Sequence, residues 1–122
     1  MDKKTVIVGS TPRPYRYAHQ AAVMFDEREI PFVPLGIQEG EVLGRKIENI
    51  KEKPAIEGVD TLTMYIGAPR QKEWYDYLLS LEPRRIIFNP GSENFEFKQK
   101  AEKQGVECLE ACTLVMLSIG NF

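Results

Sequence analysis

One histidine and two cysteines are the only soft metal-ligating side chains in these 122 residues. That is too few for a four-ligand zinc site of Cys and His, and two cysteines make no disulfide framework. A single His on a helix body also leaves no Ser/His/Asp constellation to assemble. An excess of one charge is missing too. Lys and Arg number 16 against 18 Asp and Glu, a net charge of −2, without the basic footprint of a nucleic-acid binder. No apolar run approaches the roughly 18 residues of a membrane span. Met1-Asp2-Lys3-Lys4 leads into too short an apolar stretch for a signal peptide. No repeat, low-complexity tract or linker interrupts the chain. Hydrophobic residues at 43% and charged ones at 28% suit one ordinary core. The expectation is a single domain over 1–122, cytoplasmic and reduced, with neither a nucleic-acid nor a membrane partner.

The chain does carry two alternating periods. Thr5-Val6-Ile7-Val8 is a continuous β-branched run ending at Gly9, as in a strand buried on both faces. Ala18, Ala21, Ala22 and Phe25 then form one helical stripe. Pro31-Phe32-Val33-Pro34-Leu35 reads as a second strand, near an edge because of its prolines. Residues 36–58 are polar and glycine-rich, with a short Glu41-Val42-Leu43 stretch and one helical turn near Asn49. A third strand fits 59–66, and a helix starting near Pro69 carries Trp74, Tyr77, Leu78 and Leu81 toward the core. Arg85-Ile86-Ile87-Phe88 is a fourth strand, and a helix from about Ser92 to Gln104 stops at Gly105. Val106 to Leu109 is the fifth strand, followed by the short apolar element Leu114–Ile119. Strands alternating with helices predict an α/β fold: one doubly wound, mainly parallel, five-stranded sheet.

Such sheets bind ligands beyond the carboxyl ends of the strands, where strand order reverses. The exits are Gly9-Ser10-Thr11, Leu35-Gly36, Ile66-Gly67, Asn89-Pro90-Gly91 and Glu110-Ala111-Cys112-Thr113. A glycine at each of the first four would let a ligand approach the backbone closely. The first exit runs through Arg13, Tyr15, Arg16 and Tyr17 into a helix whose free N–H groups favour an anion such as phosphate. Ser10 and Thr11 offer hydroxyl donors, and the two arginines offer charge. Tyr15 and Tyr17 would border a flat ring. The loop is not a dinucleotide fingerprint, since Thr11 and Pro14 stand where glycines belong and no acid ends the second strand. It is not a P-loop either.

Val6-Ile7-Val8-Gly9-Ser10 with this Pro/Arg/Tyr-rich loop resembles the small stand-alone CoA-binding proteins. Their fold is similar to the CoA-binding domain of the succinyl-CoA synthetase alpha subunit. The likeness continues through Glu41-Val42-Leu43-Gly44-Arg45-Lys46, Val59-Asp60-Thr61-Leu62-Thr63, the run from Ile86 to Asn94, and Glu110-Ala111-Cys112-Thr113-Leu114. It implies a Rossmann-like domain holding coenzyme A or an acyl-CoA across the strand exits. Carried over by position, Gly9, Ser10 and Thr11 would meet the pyrophosphate, with Arg13 and Arg16 near the phosphates. Leu35, Gly36, Ile66 and Gly67 would line the adenosine, and Asn89 and Gly91 would approach the ligand's other side. The loop departs from the family pattern at Thr11-Pro12-Arg13-Pro14 and at Tyr15.

Cys112 precedes a terminal helix whose dipole favours a thiolate, and it is the residue a CoA thiol would meet; Cys108, inside a strand, is structural. His19 belongs to surface or packing. The reading is a non-catalytic CoA carrier or sensor. The alternative is a Rossmann-like protein-interaction module that takes another nucleotide or none, with the apolar Leu114–Phe122 segment as a homodimer face. A third reading makes Cys112 the nucleophile of an enzyme acting on a CoA thioester.

Overall fold

The β-branched run near the start of the chain becomes the inside of a sheet. In the computed structural model, which describes residues 3–122, β1 (Thr5–Val8) is buried along its whole length. Met1 and Asp2, at the head of the segment read as lacking a signal peptide, lie outside the described residues. The other strands are β2 (Phe32–Gly36), β3 (Glu41–Val42), β4 (Arg45–Lys46), β5 (Glu48–Asn49), β6 (Thr61–Met64), β7 (Arg85–Phe88) and β8 (Glu107–Glu110). The helices are α1 (Tyr17–Glu27), α2 (Tyr75–Ser80), α3 (Phe95–Glu102) and α4 (Thr113–Ile119).

The main sheet has six strands in the order β5-β2-β1-β6-β7-β8, and each neighbouring pair is parallel. Five strands were expected; β5 is the sixth. Two residues long, it carries no hydrophobic period a sequence could display. It also moves β2 off the edge that its prolines suggested. Pro34 is tolerated there because β5 pairs only with Leu35 and Gly36, so no donation from residue 34 is needed on that side. Numbered along the chain, the six strands run 3-2-1-4-5-6, the order of the Rossmann fold. The point of reversal lies between β1 and β6.

Alternation along β1 sorts the core into two layers. Val6 and Val8 pack with Tyr77 and Leu78 of α2 and Phe97 and Ala101 of α3. Ile7 faces the other way, with Ala18, Ala21, Ala22 and Phe25 of α1 and Leu117 of α4. Fully burying side chains such as Phe25, Phe97 and Leu78 contributes roughly 1.5–3 kcal/mol each.

Two helices differ from their expected bounds. After β6 the chain makes two 3-10 turns, Ala68–Arg70 and Lys72–Trp74, before α2 begins. α3 starts at Phe95 instead of Ser92 because Asn94 caps it, its Oδ1 accepting from the Phe97 N–H at 3.0 Å. β3 and β4 pair as a separate antiparallel hairpin, clipped to α1 by Arg45 and Asp26 at 3.7 Å. Gly105 ends the third helical segment with φ +83°, as expected.

Candidate functional site

A cleft of about 470 Å³ opens at the carboxyl edge, lined from β1, β2, β6 and β7 exits and from the turn after β5. Its size is that of a small-molecule site. A larger groove of about 720 Å³ lies at the opposite, amino edge, between residues 53–59 and α2. That groove sets three carboxylates (Glu57, Asp76, Glu82) against one lysine (Lys53), so the smaller cleft is the better anion site.

The first exit is fixed by backbone contacts. The N–H groups of Gly9 and Ser10 both donate to the Leu35 carbonyl, at 2.8 and 3.0 Å. Gly9 has φ +97°, and a Cβ there would stand 3.0–3.1 Å from Ile66 and the Tyr65 carbonyl group. A Cβ on Gly36 would stand 2.9 Å from the Ser10 carbonyl oxygen. At these two exits glycine lets chain approach chain, which by itself accounts for the residue. Gly67 and Gly91 are different, with nothing closer than 3.9 Å to their missing Cβ atoms, and they line the cleft. The hydroxyls expected as ligand donors are engaged inside the protein. Ser10 Oγ donates to the Ile7 carbonyl at 2.8 Å, and Thr11 Oγ1 donates to Gln38 Oε1 at 2.9 Å.

Donors come instead from α1. Arg16 at its N-cap supplies no capping side chain, and the next two residues, Tyr17 and Ala18, line the cleft at the open end of the helix. Three cations stand on different sides of the same space: Arg16, Lys51 on the turn after β5, and Arg70 on the first turn after β6. Glu73 is the one carboxylate on the lining among the described residues. The net surplus of cations, beside open helical N–H groups, fits a polyanion.

Among the residues expected at a ligand, Gly9, Ser10, Thr11, Arg16, Tyr17, Gly36, Ile66, Gly67 and Gly91 come together around the cleft. Arg13, Leu35, Asn89 and Cys112 are not on its lining. Arg13 is exposed on the loop, and its carbonyl accepts from the Arg16 N–H. Leu35 is fully buried and acts through its carbonyl. Asn89 ties three elements together behind the cleft. Its Nδ2 donates to Thr63 Oγ1 at 2.7 Å and to the Met64 carbonyl at 2.9 Å, and its Oδ1 accepts from the Thr113 N–H at 2.8 Å. Cys112 is a half-buried free thiol at the N-cap of α4, near Tyr65. Cys108 is held among backbone carbonyls, and burial pushes its thiol up to about 11, consistent with a structural role.

Lys51, Arg70, Gln71 and Tyr65 are additions that sequence reasoning did not single out. Gln71 is fully buried. Its Nε2 donates to the Ile66 carbonyl at 2.7 Å and the Ser92 carbonyl at 2.8 Å, and its Oε1 accepts from Asn94 Nδ2 at 2.9 Å. It therefore joins the exits of β6 and β7, the two walls that carry Gly67 and Gly91. The Tyr65 hydroxyl is buried near the Thr63 and Thr113 hydroxyls, and burial outweighs their influence, pushing the phenol up to about 12. The His19 Nδ1 is buried without a partner. Among the described residues no group of three or more His, Cys, Asp or Glu is placed to hold a metal, and no helix is long and apolar enough to cross a membrane.

Residues 3–118 match a family model described as a CoA binding domain. No curated protein matches the chain. One solved structure, of a protein described as uncharacterized, is 49% identical over 100% of this chain and 99% of that one, with a TM-score of 0.96. A hypothetical protein from Pyrococcus horikoshii OT3 shares 20% identity over 97% of this chain and 83% of its own, with a TM-score of 0.84. A cell-free-expressed protein from Thermus thermophilus gives 20% identity, 99% and 91% coverage and a TM-score of 0.84. The last two show likeness of fold alone.

Proposed function

Since the chain belongs to the CoA-binding domain family, we propose that it binds coenzyme A, free or acylated, as a non-catalytic carrier or sensor module. The observation that carries this reading is that Arg16, Lys51 and Arg70 line one cleft together with the open start of α1, at the carboxyl edge where strand order reverses. Coenzyme A presents phosphates to such a surface, and Gly67 and Gly91 leave the backbone open along its path. When bound, the ligand would supply a thiol or thioester; this chain would orient and shield it. Arg16 and the Tyr17 and Ala18 N–H groups would hold the pyrophosphate. Arg70 would face it from the β6 side. The departures at Pro12 and Pro14 stiffen the loop without closing the helix start. Among the described residues Glu73 is the one carboxylate on the lining and no His or Cys joins it, which favours holding over turnover.

The test is a thermal melt with CoA and NAD at matched concentrations. At one hundred times the dissociation constant, linkage predicts about 2.7 kcal/mol of stabilisation, or roughly 8–15 °C for a domain of this size. A shift with CoA alone supports the reading, and no shift with either refutes it.

One observation favours a second reading, a protein-interaction module. Val115 and Ile119 stand one turn apart on α4 with 53% and 66% of their surface exposed. If that face pairs two copies, sedimentation velocity of the protein finds a dimer, and Ile119→Glu returns it to monomer.

A further inference from the structure

The amino-edge groove between residues 53–59 and α2 lies at the other end of the sheet from the carboxyl-edge cleft. Its floor is apolar: Val59, Tyr77 and Leu81 are buried in the core layer there, and Ile56 packs half-buried against it. The wall formed by residues 54–57 carries neither strand nor helix. Half-buried Pro54 and Ile56 alternate there with exposed Ala55 and Glu57, the period of an extended chain. Two contacts pin the wall in place. The Tyr77 hydroxyl donates to the Pro54 carbonyl at 2.6 Å, and Lys4 Nζ donates to the Glu57 carbonyl at 2.7 Å. Ala55, Ile56 and Gly58, by contrast, form no hydrogen bond with other backbone among the described residues. An extended stretch with free N–H and C=O groups is a template for another strand. The charge of the groove indicates which kind. Glu57, Asp76 and Glu82 are exposed on its lining against Lys53. Lys100 approaches Asp76 only to 3.9 Å, with both side chains in solvent, an ion pair weak enough to exchange.

We propose that this groove docks a lysine- or arginine-rich segment of a partner protein, laid as an extended strand along residues 54–58. Apolar side chains of that segment rest on Ile56, Val59 and Leu81, and the alternating basic ones meet Glu57, Asp76 and Glu82. At about 3.3 Å per residue, the wall accommodates a strand of about five residues. The site goes beyond the coenzyme A reading and does not depend on it, because the two ligands occupy opposite edges of the sheet.

The experiment is fluorescence anisotropy with three labelled peptides: Lys-Val-Lys-Val-Lys, Lys-Lys-Lys-Val-Val of the same composition, and Glu-Val-Glu-Val-Glu. The alternating basic peptide is expected to bind, more weakly as ionic strength rises, and the acidic one not to bind. The re-ordered basic peptide should bind roughly fivefold more weakly, since alternation is what a strand presents to one wall. The double variant Glu57→Lys with Glu82→Lys, at two exposed positions, should weaken the alternating peptide about tenfold, and Lys53→Glu should tighten it about twofold. Amide shifts on peptide titration should fall on Ala55, Ile56 and Gly58. No binding of the alternating basic peptide, equal binding of either other peptide, an affinity indifferent to the charge reversals, or shifts confined to the carboxyl-edge cleft would overturn the proposal.

Discussion

Gln71 offers the most demanding check, because a single buried amide holds two walls of the cleft. Gln71→Leu keeps the volume and removes every polar atom of the side chain. The Ser92 carbonyl loses a 2.8 Å donor and the Ile66 carbonyl a 2.7 Å one, while Asn94 Nδ2 loses an acceptor but retains the Tyr75 hydroxyl at 2.8 Å. A stranded buried group costs about 1–3 kcal/mol, with the part-buried Ile66 carbonyl at the low end. Leucine's better transfer into the core offsets part of that loss. The net expectation is about 1–3 kcal/mol. In urea, at a slope of about 1–2 kcal/mol/M, the midpoint falls by roughly 0.5–3 M with the slope unchanged. Gln71→Glu supplies the sign check. A glutamate there can donate to a carbonyl only when protonated, so folding raises its pKa. Its deficit relative to wild type is therefore smallest below the ordinary glutamate value of about 4.3 and grows as pH rises through the folded value. A loss below about 1 kcal/mol for Gln71→Leu, or a pH-independent deficit for Gln71→Glu, would refute this reasoning.

Other expectations follow from the same geometry. Gly36→Ala forces a Cβ to within 2.9 Å of the Ser10 carbonyl oxygen and should cost about 1–3 kcal/mol in chemical unfolding, with the first exit displaced. Asp60 is pushed up by burial, but hydrogen bonds from Arg84 and Thr61 and the Arg84 charge outweigh this and hold its carboxyl below the usual value. Its contribution is therefore present above the unfolded value and lost as pH falls through the folded one, so Asp60→Asn should flatten the acid limb of stability against pH. Arg16→Ala, on the cleft, should weaken coenzyme A roughly tenfold, while Arg13→Ala, off it, should change affinity less than threefold in the same titration.

What the sequence made legible was what repeats. The buried run at Val6–Val8, the stripe Ala18–Phe25 and the glycines after the strands carry periods or positions that point to one architecture, and the strand-reversal site follows from it. β5 stayed hidden because two residues define no period. Its absence took Lys51 from view and left β2 at a false edge. Gln71 went unremarked, and the structural ties of Asn89 went unseen, for a related reason. A buried amide shows its role only when its partners, some 20 or more residues away, are brought to it: Ser92 lies 21 positions from Gln71, and Thr113 lies 24 from Asn89. The glycines show the limit of local reading as well. Gly9, Gly36, Gly67 and Gly91 look alike in the chain, yet the first two make room for backbone and the last two stay open.

Amide chemical-shift mapping on coenzyme A titration tests the central claim most directly. The account predicts that the largest changes fall on Tyr17, Ala18, Lys51, Gly67 and Gly91, with Gly58 and Glu82 at the amino-edge groove unmoved. Changes confined to that groove, or none at all at saturating ligand, would contradict it.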